Sequence, residues 1–304
     1  MLGLSPGATV VDGTLGDGGH AEAVLRLTAP DGLLLGLDWD AAALAVAEER
    51  LAPFGERVEL VHAPYAELAE VLAERSLDRV DAILLDLGVS SRQLDSEERG
   101  FRFRDAEFSD AVLDMRMDSR AELRAADLLA TASEESLGQW FARYGELPGA
   151  HRLARTIVST RKQQPIRTAA ELIAVIRRAG VGRGRRHNPA TLVFQALRIA
   201  VNDELGGLTR ALETAPECLR AGGRLAVIAY HSLEDRLVKH ALRDGERGCI
   251  CPPRIPVCVC GQVPVWKRLN KRPVTAEEQE VEKNPRARSA KLRGASRLTY
   301  AEAA

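Results

Sequence analysis

The chain has 304 residues, 45% of them hydrophobic and 28% charged, which fits one large α/β domain or two smaller ones and excludes a disulfide-stapled miniprotein. No apolar run approaches the roughly 18 residues of a membrane helix, and Met1 to Pro6 carry neither a basic nor an apolar leader pattern, which excludes membrane insertion and predicts a cytoplasmic protein with reduced cysteines. The net charge of −1 hides an asymmetry: residues 151–202 hold eleven Arg and Lys against the single acid Glu171, leaving +10 there and −11 elsewhere. Such a field points to a polyanion such as a nucleic acid, or to a solvated helical face.

In chain order, short apolar runs at Thr9–Asp12, Leu33–Asp38, Val58–His62 and Asp81–Leu85 predict strands, and Gly19–Leu27, Ala41–Leu51 and Tyr65–Arg75 predict the helices between them. Near-continuous apolar strands alternating with helices mark a parallel sheet covered on both faces, so the expected fold class is α/β, doubly wound. After Val89 helical patterns take over: Ala121–Ala130, Glu134–Tyr144 behind a Thr131/Glu134 capping box, Ala150–Lys162, Ala169–Arg178 and Thr191–Val201. The sheet pattern returns at Arg224–Tyr230 after the turn Ala221-Gly222-Gly223, followed by a helix over Leu233–Leu242. The expected organisation is an α/β domain over 1–110 and 206–245, a helical insertion over 111–205 that holds the basic block, and an irregular Cys/Pro-rich segment with a basic tail over 246–304.

The first strand runs into Asp12-Gly13-Thr14-Leu15-Gly16-Asp17-Gly18-Gly19-His20, a glycine-rich turn opening a helix, where a backbone without side chains can approach a nucleoside-type cofactor. Asp38, at the end of the second strand, stands where an acid can accept from both ribose hydroxyls. The turn also fits a nicotinamide dinucleotide loosely, and a tight βα turn with an Asx-type Asp12 needs no ligand. The fourth strand delivers Asp86 to the carboxyl edge where open sheets bind ligands, or to a helix-capping role. Four of the five cysteines form Cys249-x-Cys251 and Cys258-x-Cys260, while Cys218 stands apart on a helix. Four thiolates could hold zinc, but the one-residue spacing departs from the usual C-x-x-C knuckle, and the reading taken is a cluster of reduced thiols with no metal.

Seven stretches in order, DGTLGDGGH, DLGVSSRQLD, RGFRF, LDMRMD, FQALRIAVNDEL, YHSLEDR and NPRARSAKLR, resemble the bacterial 16S rRNA cytosine methyltransferases of the RsmH (MraW) family along nearly the whole chain. The resemblance implies a class I methyltransferase fold with an inserted helical domain. It also implies S-adenosylmethionine as cofactor, and methylation of the exocyclic amino group of a decoding-centre cytidine, nucleotide 1402, of 16S rRNA in the small ribosomal subunit. It carries cofactor contacts onto Gly18, Gly19 and His20 at the methionine end, Asp38 at the ribose, Tyr65 near the adenine, and Asp86 and Gln93.

Three departures stand beside this resemblance. Family members begin with a His-x-Pro-Val segment ahead of the first strand, Asp110-Ala111-Val112 replaces an Asp-Gly-Pro, and Tyr65 and Tyr230 stand where Phe is frequent.

A cytosine amino nitrogen is a poor nucleophile because its lone pair is conjugated with the ring. Asp86, with Ser90, is the expected acceptor that would help it pyramidalise, and His231, with Ser232 and Glu234, could orient base or cofactor. His231 reads as readily as a helix-start histidine bonded to backbone, and Asn202-Asp203-Glu204 as helix packing and capping. A base flipped from its stack would leave Arg152, Arg155, Arg161, Lys162, Arg183, Arg185 and Arg186 to clamp phosphates. An oxidoreductase would explain the glycine turn but not the basic insertion; a noncatalytic RNA-binding protein would explain the reverse.

Overall fold

The computed structural model describes residues 1–101, 112–182, 188–247, 249, 251–252, 257 and 259–299. The chain forms two compact units, one built from Met1–Gly88 with Leu205–Ala304 and the other from Val89–Glu204.

The first unit is organised by strands β1 (Thr9–Asp12), β2 (Leu33–Asp38), β3 (Val58–His62), β4 (Val80–Asp86) and β5 (Leu219–Ala229). Its helices are α1 (Gly19–Leu27), α2 (Ala41–Leu51), α3 (Leu68–Glu74), α10 (Glu204–Cys218), which carries Cys218, and α11 (Ser232–Glu246); α4 to α9 belong to the other unit. Neighbouring residues of one strand enter opposite cores. Val10 and Leu34 pack with Ala21, Leu25 and Leu51 of α1 and α2, whereas Val11 and Leu35 pack with Leu68, Leu212 and Val238 of α3, α10 and α11. Burial on both faces explains why these strands read as unbroken apolar runs. The sheet order is β3-β2-β1-β4-β5 followed by two later strands, so the chain reverses direction across the sheet between β1 and β4, the place where open sheets bind ligands beyond their carboxyl ends.

Residues 246–304 correct the sequence reading. Trp266–Arg268 (β6), Val274–Thr275 (β7) and Lys291–Arg297 (β8) join the sheet, with β8 antiparallel to β5 and flanked by β6 and β7; a short helix, α12 (Glu278–Lys283), precedes β8. Basic residues disguised β8. Arg293 is buried because its Nε donates to Asp235 Oδ1 at 2.7 Å, and Lys291 lies 3.4 Å from the other oxygen of the same carboxylate. β5 is also longer than expected. Its partner register steps from Val80↔Leu219 to Ala82↔Arg224, so the glycine turn forms an irregularity inside the strand, and Tyr230 falls beyond its end.

The second unit starts at Val89 and ends at Glu204, in place of the expected 111–205. It comprises α4 (Ser91–Asp95), α5 (Ala125–Thr131), α6 (Glu134–Arg143), α7 (Ala150–Arg161), α8 (Ala169–Ala179) and α9 (Pro189–Asn202), closed around Leu129, Phe141, Leu153, Ile157, Leu172 and Leu197. α5 begins four residues later than expected because Arg116 holds the carbonyls of Ser119 and Ala121 in a turn, at 3.0 and 2.6 Å. α6 is capped by Ser133, whose Oγ accepts from Ser136 N at 3.0 Å; the Thr131 hydroxyl instead donates back to Asp127 O. Asn202 secures the LDMRMD segment, donating to Met115 O and accepting from Met117 N, each at 2.7 Å, and Arg198 grips Glu204 through two bonds. Asn202 and Glu204 thus hold structure.

Candidate active site

Four segments of the first unit meet at the carboxyl ends of β1, β2 and β4. The glycine turn is drawn onto the sheet by bonds the sequence hides: Leu15 N donates to Leu37 O at 2.9 Å, Gly16 N to Asp38 Oδ2 at 2.8 Å, and Asp86 N to Thr14 Oγ1 at 2.5 Å. Gly18 precedes α1 with φ +79°, a left-handed conformation that a side chain would strain. A Cβ on Gly13 would meet Leu85 Cδ2 at 2.6 Å, so the turn can lie this close to β4 only without one. The start of α1 at Gly19 and His20 leaves backbone N–H groups for an anionic group such as a carboxylate.

The carboxylates here fall into two kinds. Asp38 spends one bond per oxygen on backbone, Oδ1 accepting from Asp40 N and Oδ2 from Gly16 N, both at 2.8 Å. Burial still raises its pKa, against those bonds. Asp12 is 1% exposed; Oδ1 accepts from Thr14 N at 3.2 Å, the expected Asx-type bond, but Oδ2 is buried with no hydrogen-bond partner. Burial pushes Asp12 up to about 7, with Asp86 and Asp38 adding to it and His20 opposing. Asp86 lies at the end of β4 with Oδ2 3.3 Å from His20 Nε2, the Tyr230 phenol also against the carboxylate, and Oδ1 buried without a hydrogen-bond partner. Its carboxylate favours the imidazolium, raising His20, while burial and then Asp86 raise Tyr230.

An aromatic wall completes this edge. Tyr65, buried after β3, faces Trp39 with ring centroids 6.0 Å apart and planes tilted by 53°; His62 Nε2 donates to Trp39 O at 2.9 Å and fixes the turn after β2. Sequence reasoning missed Trp39 and the orphan oxygen of Asp12. The only signal for Trp39 was its place directly after Asp38.

Several other expected site residues make bonds that serve the fold. Ser90 and Gln93, in the second unit, cap α4 reciprocally: Gln93 N donates to Ser90 Oγ at 3.2 Å and Ser90 N to Gln93 Oε1 at 3.0 Å. His231 caps α11; its Nδ1 accepts from Glu234 N at 3.3 Å, while its Nε2, 3.0 Å from Glu234 Oε1, is buried with no hydrogen-bond partner. Along α7, Arg152 donates to Gly180 O and Arg161 to Leu129 O, both at 2.8 Å, whereas Arg155 and Lys162 are exposed. Arg183, Arg185, Arg186 and Cys258 lie outside the described residues, as do Asp110 and Ala111.

Comparison with known proteins decides the family. The profile described as the MraW methylase family matches residues 1–298. The chain belongs to this family. A relative from Syntrophus aciditrophicus (strain SB) named Ribosomal RNA small subunit methyltransferase H is 50% identical over 300 residues, covering 98% of this chain and 94% of that one. One of the same name from Geobacter sulfurreducens is 52% identical over 300 residues, covering 98% and 95%. Among solved structures, a rRNA methylase from Streptococcus thermophilus aligns over 97% of this chain and 90% of that one at 12% identity and a TM-score of 0.42, too distant to add to the argument.

The MraW-family chain is therefore a methyltransferase, with S-adenosylmethionine as methyl donor. Its residues fit that cofactor. The buried acceptors of Asp12 and Asp86 lack donors, and S-adenosylmethionine brings an ammonium, a sulfonium and two ribose hydroxyls to acceptors of this kind.

Proposed function

We propose that the protein methylates the exocyclic amino nitrogen of a decoding-centre cytidine, nucleotide 1402, of 16S rRNA in the cytoplasmic small ribosomal subunit. The observation that carries this reading is Asp86: a carboxylate at the switch point with one buried oxygen that no protein group satisfies. The relatives' shared name supports rRNA of the small subunit as substrate.

When bound, the cofactor supplies a methyl group activated on a sulfonium, so no metal or acid is needed to make the leaving group depart. Asp38 and the Gly18–Gly19 turn would hold its ribose and methionine ends, and Trp39 with Tyr65 would flank the adenine. Asp86 would accept a hydrogen bond from the cytosine N–H, which would favour a pyramidal nitrogen whose lone pair is released from ring conjugation. The amino nitrogen must exchange a proton for the methyl group, whose bond to sulfur breaks with the electron pair staying on sulfur, and the same carboxylate would take that proton. His20 and Tyr230 position that carboxylate. Ser90 and His231 act as positioning residues through their helix caps, and Arg155 and Lys162 contact phosphates without reading bases.

The test is methyl transfer from labelled S-adenosylmethionine to small subunits taken from a strain lacking this enzyme, whose target is unmodified. The expected product is N(4)-methylcytidine at a single position. Label at another base, or none with folded protein, overturns the assignment.

A further inference from the structure

The segment between α11 and β6 has firm ends. Val265 N donates to Gly245 O at 2.8 Å, Arg268 Nε to Glu246 Oε2 at 2.6 Å, and buried Trp266 packs where a side chain on Gly245 would stand. Between these anchors Val257 and Val259 are 70% and 76% exposed, and Val263 is exposed as well, so among the described residues the loop buries little apolar surface to order it.

Thiols converge there instead. The sulfurs of Cys249, Cys251 and Cys260 all lie within 4.8 Å of one another, and those of Cys249 and Cys260 are 3.7 Å apart. A tetrahedral site with metal–sulfur bonds of about 2.3 Å sets its sulfurs about 3.8 Å apart. Two backbone N–H groups point at sulfur, Cys251 N at Cys249 Sγ (3.4 Å) and Val259 N at Cys251 Sγ (3.3 Å). Bonds of this kind stabilise thiolate over thiol and orient metal ligands. Despite the one-residue spacing that argued against a knuckle, the sulfurs of Cys249 and Cys251 lie within 4.8 Å of one another.

We infer that Cys249, Cys251 and Cys260 bind a single zinc ion that cross-links the outgoing arm of this loop to the arm returning to β6. Thiolate ligands select a soft or borderline cation, and zinc requires no redox partner. Cys218 takes no part, being buried on α10, where burial above all pushes its thiol up to about 11. Because β6 pairs with β8, the ion secures the outer edge of the sheet and stands apart from the methyl-transfer chemistry.

The full chain, purified without chelator or metal-affinity resin, is the material for the test. Elemental analysis is expected to find about one zinc per chain, with Cys251→Ser and Cys260→Ser each cutting occupancy roughly tenfold and Cys218→Ala leaving it unchanged. Cobalt added to the metal-stripped wild-type chain is expected to give thiolate charge-transfer and tetrahedral ligand-field bands, and either ion is expected to slow proteolysis within 247–264. The cobalt titration keeps the inference open to refutation if a variant fails to fold. A Cys249–Cys260 disulfide in protein alkylated at lysis, or trace metal with no tetrahedral cobalt spectrum, overturns it.

Discussion

At the carboxyl ends of β1 and β4, Asp12 and Asp86 each bury an oxygen that no protein group satisfies. A few residues beyond β5, at the start of α11, Glu234 is buried and Asp235 half-buried, yet both carboxylates have donors from the fold: Tyr230 N and His231 N for Glu234, Arg293 and Lys291 for Asp235. The same chemical group on the same unit is completed by the fold in one place and left incomplete in the other. Burying an acceptor without a donor costs about 1–3 kcal/mol, so the incomplete pair persists where a ligand completes it, and the completed pair maintains structure.

The sharpest way to break this contrast is Asp86→Asn, which keeps the shape and removes the charge. Turnover is expected to fall by about 10²–10⁴-fold, the range for losing a group that handles the proton. Cofactor affinity measured by calorimetry is expected to fall much less. Equal losses in both would move Asp86 from the chemistry to cofactor binding.

On the completed side, Asp235→Ala leaves Arg293 buried and unpaired, and is expected to lower stability in urea by about 3–5 kcal/mol while the folded fraction keeps its cofactor affinity. Although burial opposes it, Arg293 and then Lys291 hold Asp235 below its usual range. A depressed acid contributes stability above its unfolded pKa that is lost as pH falls through the folded value, so wild type is expected to lose this increment at acid pH and Asp235→Ala to lack it. Lost activity with unchanged stability would bring α11 into the active site.

A smaller effect separates the two sides by pH. Asp12 titrates at 3.8 as a free side chain and at about 7 in the fold. Raised acids act in the opposite sense: the ligand-free protein is favoured by this group below the lower value and loses that contribution as pH climbs through the upper one. A cationic cofactor prefers Asp12 ionised, so its binding is expected to release a proton and to tighten with pH by at most about tenfold per unit around neutrality. Calorimetry in buffers of different ionisation enthalpy measures the proton, and Asp12→Asn is expected to flatten the profile. His20, whose raised pKa also falls as a cation arrives, contributes in the same direction.

Much of this was legible in the sequence. The parallel strands and the bounds of α1 and α2 follow from apolar runs closed by glycine and by Asp40, whose Oδ1 accepts from Ala42 N. Asp38 and Asp86 could be placed because strand ends of an open sheet share one edge, whereas Tyr65 was implied by the family resemblance alone. β8 could not be read, since Arg293 is apolar in effect only once Asp235, 58 residues away in the chain, neutralises it. Local alternatives misled too: Thr131 and Ser133 are both good caps, and only packing chose between them. The orphan oxygen of Asp12 and the convergence of three thiols depend on contacts between distant segments, which no spacing rule encodes.

The smallest predicted effect concerns the basic block, where the same distinction between engaged and open groups applies. Arg152 and Arg161 give donors to Gly180 O and Leu129 O, so replacing them disturbs helix ends. Arg155 meets Glu134 only at 3.4 Å in an exposed pair of little worth, and Lys162 is exposed. Changing both to Gln is expected to weaken binding to the small-subunit rRNA and to reduce the slope of log affinity against log salt by about 0.7 for each phosphate that the chain no longer neutralises. Stability and cofactor affinity are expected to hold. Arg161→Gln is expected to lower stability first, because it strips a partner from the carbonyl end of α5. An unaltered salt slope in the double variant would return this face of α7 to solvent and assign RNA binding to other parts of the chain.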